Sequence, residues 1–131
     1  MKVLVTGAAG FIGSHLCEEL LAKGYKVNAL VRYNSKQSKG WLENVSNKNL
    51  EVIYGDVTDF DSVRGAIEHC DYVFNLAASI SVPYSFKNPQ TFIDTNILGA
   101  LNIFRASALN KIKIKKIVQI SSSEVYGNNL L

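Results

Sequence analysis

Nowhere in these 131 residues does an apolar run approach the roughly 18 needed for a bilayer-crossing helix, so the chain is read without a membrane span. Cysteine is scarce as well. Cys17 and Cys70 lie far apart with no metal-ligand spacing, which leaves no metal site and reads as two reduced thiols in a cytoplasm. Neither sign of charge dominates: 14 Lys plus Arg against 11 Asp plus Glu leave a net +3 and a pI near 8.9, too mild to imply nucleic acid. The basic run from Lys111 to Lys116 reads as a solvated connection with its isoleucines facing inward. There is no internal repeat and no linker composition, and the length excludes a self-sufficient two-domain enzyme. The opening Met1-Lys2-Val3-Leu4-Val5 has the look of a secretory leader, but the glycines after it are better explained by a fold.

What is present suits a packed core, with 47% hydrophobic residues, 10% aromatics and a mean hydropathy of +0.07. Short apolar runs alternate with helical patterns. Strands are predicted over 2–6, 26–32, 50–54, 71–76 and 116–121. Helices are predicted over 11–23 with Gly24 as the stop, over 59–69 with Asp59 as the cap, and over 94–110. The Lys/Asn/Ser-rich stretch 33–49 reads as a loop with a helical turn at 39–45. This order implies an α/β fold, a Rossmann-type doubly wound parallel sheet with right-handed connections, truncated after about five strands. The sequence stops at Asn128-Asn129-Leu130-Leu131 without a further helix, which reads as the N-terminal part of a longer enzyme.

Position gives the first chemical signal. Gly7-Ala8-Ala9-Gly10-Phe11-Ile12-Gly13 follows the first strand directly and opens the first helix. A strand feeding a glycine turn into a helix aims unpaired N–H groups and the positive helix end at a pyrophosphate. Gly7 suits the tight turn, Gly10 the approach of phosphates, and Gly13 the packing of helix on sheet. The spacing is TGxxGxxG rather than GxGxxG.

Thr6 through Gly13, followed by Ser14-His15-Leu16, resembles the opening of the extended short-chain dehydrogenase/reductase family. The resemblance extends over nearly the whole chain, and its middle and its Tyr33-Asn34-Ser35 and Gly40-Trp41-Leu42 segments look like nucleotide-sugar 4,6-dehydratases of legionaminic-acid-type biosynthesis. It implies an NAD(P) site built from Gly7, Gly10, Phe11, Ile12 and Gly13. Asp56, beside Val57, falls where the family hydrogen-bonds adenine, with a turn aspartate as the alternative. Leu76-Ala77-Ala78 resemble the small residues along which the dinucleotide lies, and Asn96 resembles a buried structural asparagine that supports the site. The family's homodimer contact would include residues 94–110.

The end of the second strand bears on the cofactor. A carboxylate there would bind both adenosine ribose hydroxyls and repel a 2′-phosphate. Val31 stands where NAD-using epimerases carry aspartate, and Arg32, with Lys36 and Lys39 nearby, offers a phosphate partner. The reading leans to NADP over NAD, with a solvated Arg32 as the alternative.

Ser121-Ser122-Ser123-Glu124-Val125-Tyr126-Gly127 closes the fifth strand and resembles the family's catalytic block. Aligned on Tyr126-Gly127, Ser122 falls at the position that hydrogen-bonds the reacting sugar oxygen, and Ser123 and Glu124 at the dehydratase acid/base pair. Oxidation at sugar carbon 4 acidifies the carbon 5 proton, which a carboxylate such as Glu124 can abstract. Ser123 is a poor acid and would relay or orient a proton. Decarboxylases of the family also carry a glutamate there, and epimerases usually lack it. The family's Tyr-x-x-x-Lys pair has no match, so the isolated chain is expected to bind dinucleotide without turnover, a cofactor-binding portion whose substrate would be a nucleotide sugar. A non-catalytic NAD(P)-binding module is the competing class.

Overall fold

The first strand, β1 (Lys2–Thr6), is buried at every position but its first, as a central parallel strand covered on both faces must be. With β2 (Lys26–Arg32), β3 (Leu50–Gly55), β4 (Tyr72–Asn75) and β5 (Lys116–Gln119) it forms a five-stranded parallel sheet in the order β3-β2-β1-β4-β5. The computed structural model describes residues 1–127. Asn128 to Leu131, where the chain's end was read, lie outside the described residues.

Side chains alternate across the sheet and divide the core in two. Val3 and Val5 of β1, with Val27, Ala29 and Val31 of β2, meet Cys17, Leu20 and Leu21 of helix α1 (Phe11–Ala22). On the other face Leu4, Leu30 and Val73 meet Val63, Ala66 and Ile67 of α2 (Phe60–Ile67) and Ile103 and Ala106 of α5 (Gly99–Leu109). The doubly wound arrangement follows. Both cysteines are free and buried, and burial pushes each thiol up to about 12.

Helix ends follow their local chemistry. At the end of α1 the Gly24 N–H donates to the Leu21 carbonyl at 2.9 Å and the Tyr25 N–H to the Leu20 carbonyl at 3.0 Å, a Schellman closure. Asp59 caps α2 by accepting the N–H groups of Asp61 and Ser62. The hydroxyl of Ser62, ahead of these N–H bonds, holds the Asp59 carboxyl below its ordinary value.

The helix predicted over 94–110 is not one regular helix. It is preceded by α3 (Val82–Lys87) and α4 (Pro89–Phe92), which sequence patterning missed, and it begins as a π-helical segment, Ile93–Leu98, before α5. The helical turn expected at 39–45 is a short 3-10 turn, Gly40–Leu42. Among the described residues no helix is long and apolar enough to cross a membrane.

Candidate functional site

The strand order reverses between β1 and β4, and in open α/β sheets that switch point, at the carboxyl ends of the strands, is where ligands bind. Here the two ends meet closely. Gly7 turns the chain out of β1 with φ +65, a conformation that strains an L side chain, and a Cβ there would lie 2.9 Å from the Ala77 N. A Cβ at Gly13 would fall 2.3 Å from the Gly7 carbonyl oxygen, so the first turn of α1 can pack on the glycine turn only without a side chain. Gly10 is the N-cap of α1, makes no side-chain cap, and donates its own N–H to the Gly7 carbonyl at 3.0 Å. No acidic residue lies in that first turn. An uncapped helix N-terminus with its glycines drawn tight is a donor set that fits a diphosphate. Phe11 and Ile12 stand exposed on this turn, outside the core.

A polar ladder ties the strand ends together beneath the turn. The Thr6 hydroxyl donates to Asn75 Oδ1, and Asn75 Nδ2 donates to Gln119 Oε1 at 2.8 Å. The same Thr6 oxygen accepts the N–H groups of Leu76 and Ala77 at 3.2 and 3.1 Å. Thr6 and Asn75 are buried, so their mutual satisfaction holds β1 and β4 in one register at the edge of the cleft. In the sequence Thr6 stands out only as the start of the TGxxGxxG motif, with no role of its own, and Gln119 only as a polar residue ending an apolar strand.

Leu76 and Ala77 follow β4 and bring their backbone against the Gly7 turn from that side, and Ala78, next along the chain, is exposed. Beyond them Asn96, in the π-helical segment, accepts the Ser79 N–H at 2.8 Å and donates to the Ser79 carbonyl at 3.0 Å. Asn96 is exposed and not the buried amide expected from sequence. Its partners are nonetheless the backbone that follows Ala78.

Arg32 and Asp56 end neighbouring strands and meet as an ion pair, Nε to Oδ2 at 3.6 Å. Asp56 Oδ1 also accepts the N–H and hydroxyl of Thr58, both at 2.9 Å, the turn role that had been its alternative. Val57 is buried under α5, and its carbonyl accepts from Asn102 Nδ2 at 3.0 Å.

At the far side, β5 releases the chain into Ser121 and Ser122. The Ser122 hydroxyl caps a 3-10 turn, Ser123–Tyr126, by accepting the Glu124 N–H at 3.2 Å. Ser122, Ser123 and Glu124 are all exposed. Only β4 separates β5 from β1, so this segment and the glycine turn emerge from the same sheet edge about 10 Å apart at the strand spacing.

A family model described as GDP-mannose 4,6 dehydratase matches residues 4–130. The chain belongs to that family. Members similar to this GDP-mannose 4,6-dehydratase family chain differ in the reaction their names state. It is 36% identical to a UDP-N-acetyl-alpha-D-glucosaminuronate decarboxylase of Bacillus cytotoxicus, over 96% of this chain and 38% of the relative. It is 35% identical to a GDP-mannose 4,6-dehydratase of Vibrio cholerae, over 96% of this chain and 36% of that one. Among solved structures, the Thermus thermophilus UDP-glucose 4-epimerase in complex with NAD superposes with a TM-score of 0.68 at 39% identity, over 81% of this chain and 33% of that one. The chain therefore spans less than two fifths of the length of these relatives. Together they bear out the expected kinship with extended short-chain dehydrogenases/reductases and the Rossmann-type fold.

Proposed function

We propose that this chain is the cofactor-binding portion of a longer, cytoplasmic nucleotide-sugar 4,6-dehydratase that takes NADP in preference to NAD. The reading is carried above all by Glu124, which with Ser122 and Ser123 leaves the sheet at the edge where the glycine turn opens. Support for the dinucleotide comes from the uncapped start of α1 and from the NAD complex of the epimerase relative. Arg32 supports NADP, standing at the end of β2 with its side chain largely exposed.

Bound at this site, the dinucleotide would supply acceptance of a hydride from sugar carbon 4 and its return to carbon 6. The base for the carbon 4 hydroxyl proton is left to the longer protein, because this chain holds no Tyr-x-x-x-Lys pair, and the chain's own groups supply the other roles. The N–H groups of the first α1 turn would hold its diphosphate. The Ser122 hydroxyl donates to the oxygen on sugar carbon 4. Beside a carbonyl at that carbon the carbon 5 proton is acidic, and the Glu124 carboxylate removes it. Ser123 orients the proton delivered to the oxygen leaving carbon 6, which departs as water. In the longer protein a homodimer contact is assigned to the exposed face of Ile97, Leu101 and Phe104.

The test is to incubate the longer protein with a panel of nucleotide sugars. A 4-keto-6-deoxy product is expected, lost in Glu124→Gln while dinucleotide binding is retained. A decarboxylated or 4-epimerised sugar would replace this reading with that of the decarboxylase or epimerase relatives. Dinucleotide binding with no sugar chemistry at all would favour a non-catalytic module.

A further inference from the structure

The polar segment between β2 and β3 is held in shape by its own side chains. Asn34 Oδ1 accepts the N–H groups of Lys36 and Ser38 at 3.1 Å each, and its Nδ2 donates to the Ser38 carbonyl at 3.1 Å. The Tyr54 hydroxyl, on β3, donates to the Gln37 carbonyl. The Gly40 N–H donates to Ser38 Oγ at 3.1 Å, and Leu42 is fully buried in the α1-face core. The segment is thus an ordered strap, anchored at both ends, whose apex crosses the glycine turn.

The contact at that apex is specific. Gly40 has φ +58, and a Cβ on it would lie 2.5 Å from the Ala9 carbonyl oxygen. The N–H of the next residue, Trp41, donates to that same oxygen at 3.1 Å. The Trp41 ring meets Phe11 edge-on, with centroids 5.5 Å apart and planes at 77°. A backbone anion site needs its N–H groups turned inward and its carbonyl oxygens turned away, because an oxygen aimed at the anion repels it. The Gly7 oxygen is occupied by the Gly10 N–H, and the Ala9 oxygen by the Trp41 N–H.

We propose that the strap sets the anion affinity of the glycine turn, with Trp41 as its positioning residue: it captures the Ala9 carbonyl and braces Phe11 so that the first-turn N–H groups of α1 converge on a dinucleotide diphosphate. This rests on the dinucleotide reading above and adds to it the element that preorganises the loop.

The experiment uses the longer protein, titrated with NAD and with NADP by calorimetry. Wild type is expected to bind. Trp41→Ala is expected to weaken both dinucleotides by about tenfold, and Trp41→Phe, which keeps an aromatic brace, to stay within about threefold of wild type. Gly40→Ala, which displaces the apex without touching the ring, is expected to weaken binding like Trp41→Ala. Amide hydrogen exchange at residues 10–13 of the ligand-free protein should quicken in both weakened variants, a change that a remote structural role would not produce. Binding by Trp41→Ala and Gly40→Ala at the wild-type level overturns the strap and leaves the dinucleotide reading standing. Failure of wild type to bind either dinucleotide overturns both.

Discussion

Asp71 gathers the amino ends of three strands on one carboxylate. Its Oδ2 accepts the Lys2 N–H at 2.8 Å, and its Oδ1 pairs with Lys115 Nζ at 3.1 Å, just before β5. The Lys2 N–H, followed by the Lys115 ammonium, holds the Asp71 carboxyl below its ordinary value. A folded-state pKa below the unfolded one means a contribution that is fully present above the ordinary carboxylate range, near 3.9, and is lost as pH falls through the folded value. Asp71→Asn should therefore lower the urea midpoint at neutral pH. The gap between variant and wild type should close as the solution is acidified below about pH 4. A gap that stays constant with pH would remove Asp71 from this role. Lys2 and Lys115 lie at distant points of the chain, so the residue's work was invisible in sequence, where Asp71 reads only as the start of a strand.

At the scale of elements, the strap depends on one apolar foot. Leu42 is fully buried against the α1-face core, so Leu42→Ala opens a cavity and is expected to cost about 2–5 kcal/mol of unfolding free energy. Chemical denaturation followed by far-UV circular dichroism checks this. A cost under about 1 kcal/mol would mean that the strap collapses around the gap instead. The elements that sequence made legible are those whose cause is local: the β-branched runs of β1 and β2, the Asp59 cap and the Gly24 stop. Those it missed have causes that local pattern does not carry. The π-helical segment shifts the backbone hydrogen bonding by one residue, which leaves little trace in side-chain periodicity. The strap owes its order to Asn34, to the Tyr54 hydroxyl reaching 17 residues back, and to the Ala9 carbonyl, none of which a Lys/Asn/Ser-rich composition announces. The glycine turn was readable because strand, turn and helix are contiguous. The Thr6–Asn75–Gln119 ladder was not, because it spans separations of 69 and 44 residues.

Across the whole molecule the two faces of the sheet are unequally covered. Among the described residues α2 and α5 pack on one face, whereas on the other face Tyr72 and Phe74 of β4 are only partly buried against the α1-face core. Tyr72, Phe74 and Val118 of β4 and β5 line a groove beside α1 together with Val3, Leu20 and Tyr25. β5 lies at the sheet edge, paired within the sheet only with β4 among the described residues. An apolar groove beside a strand edge favours association. The sedimentation coefficient of the 131-residue chain is expected to rise with concentration, and a concentration-independent monomer would show the groove to be innocuous.

The ladder from Thr6 through Asn75 to Gln119 has a further thermodynamic meaning. It joins the two banks of the cleft through side chains of which Thr6 and Asn75 are buried, so a guest on the β5 bank that shifted this ladder would also bias the bank that holds the glycine turn. By reciprocity the energetic debt is equal in both directions: whatever factor a first guest adds to the affinity of the second, the second returns to the first.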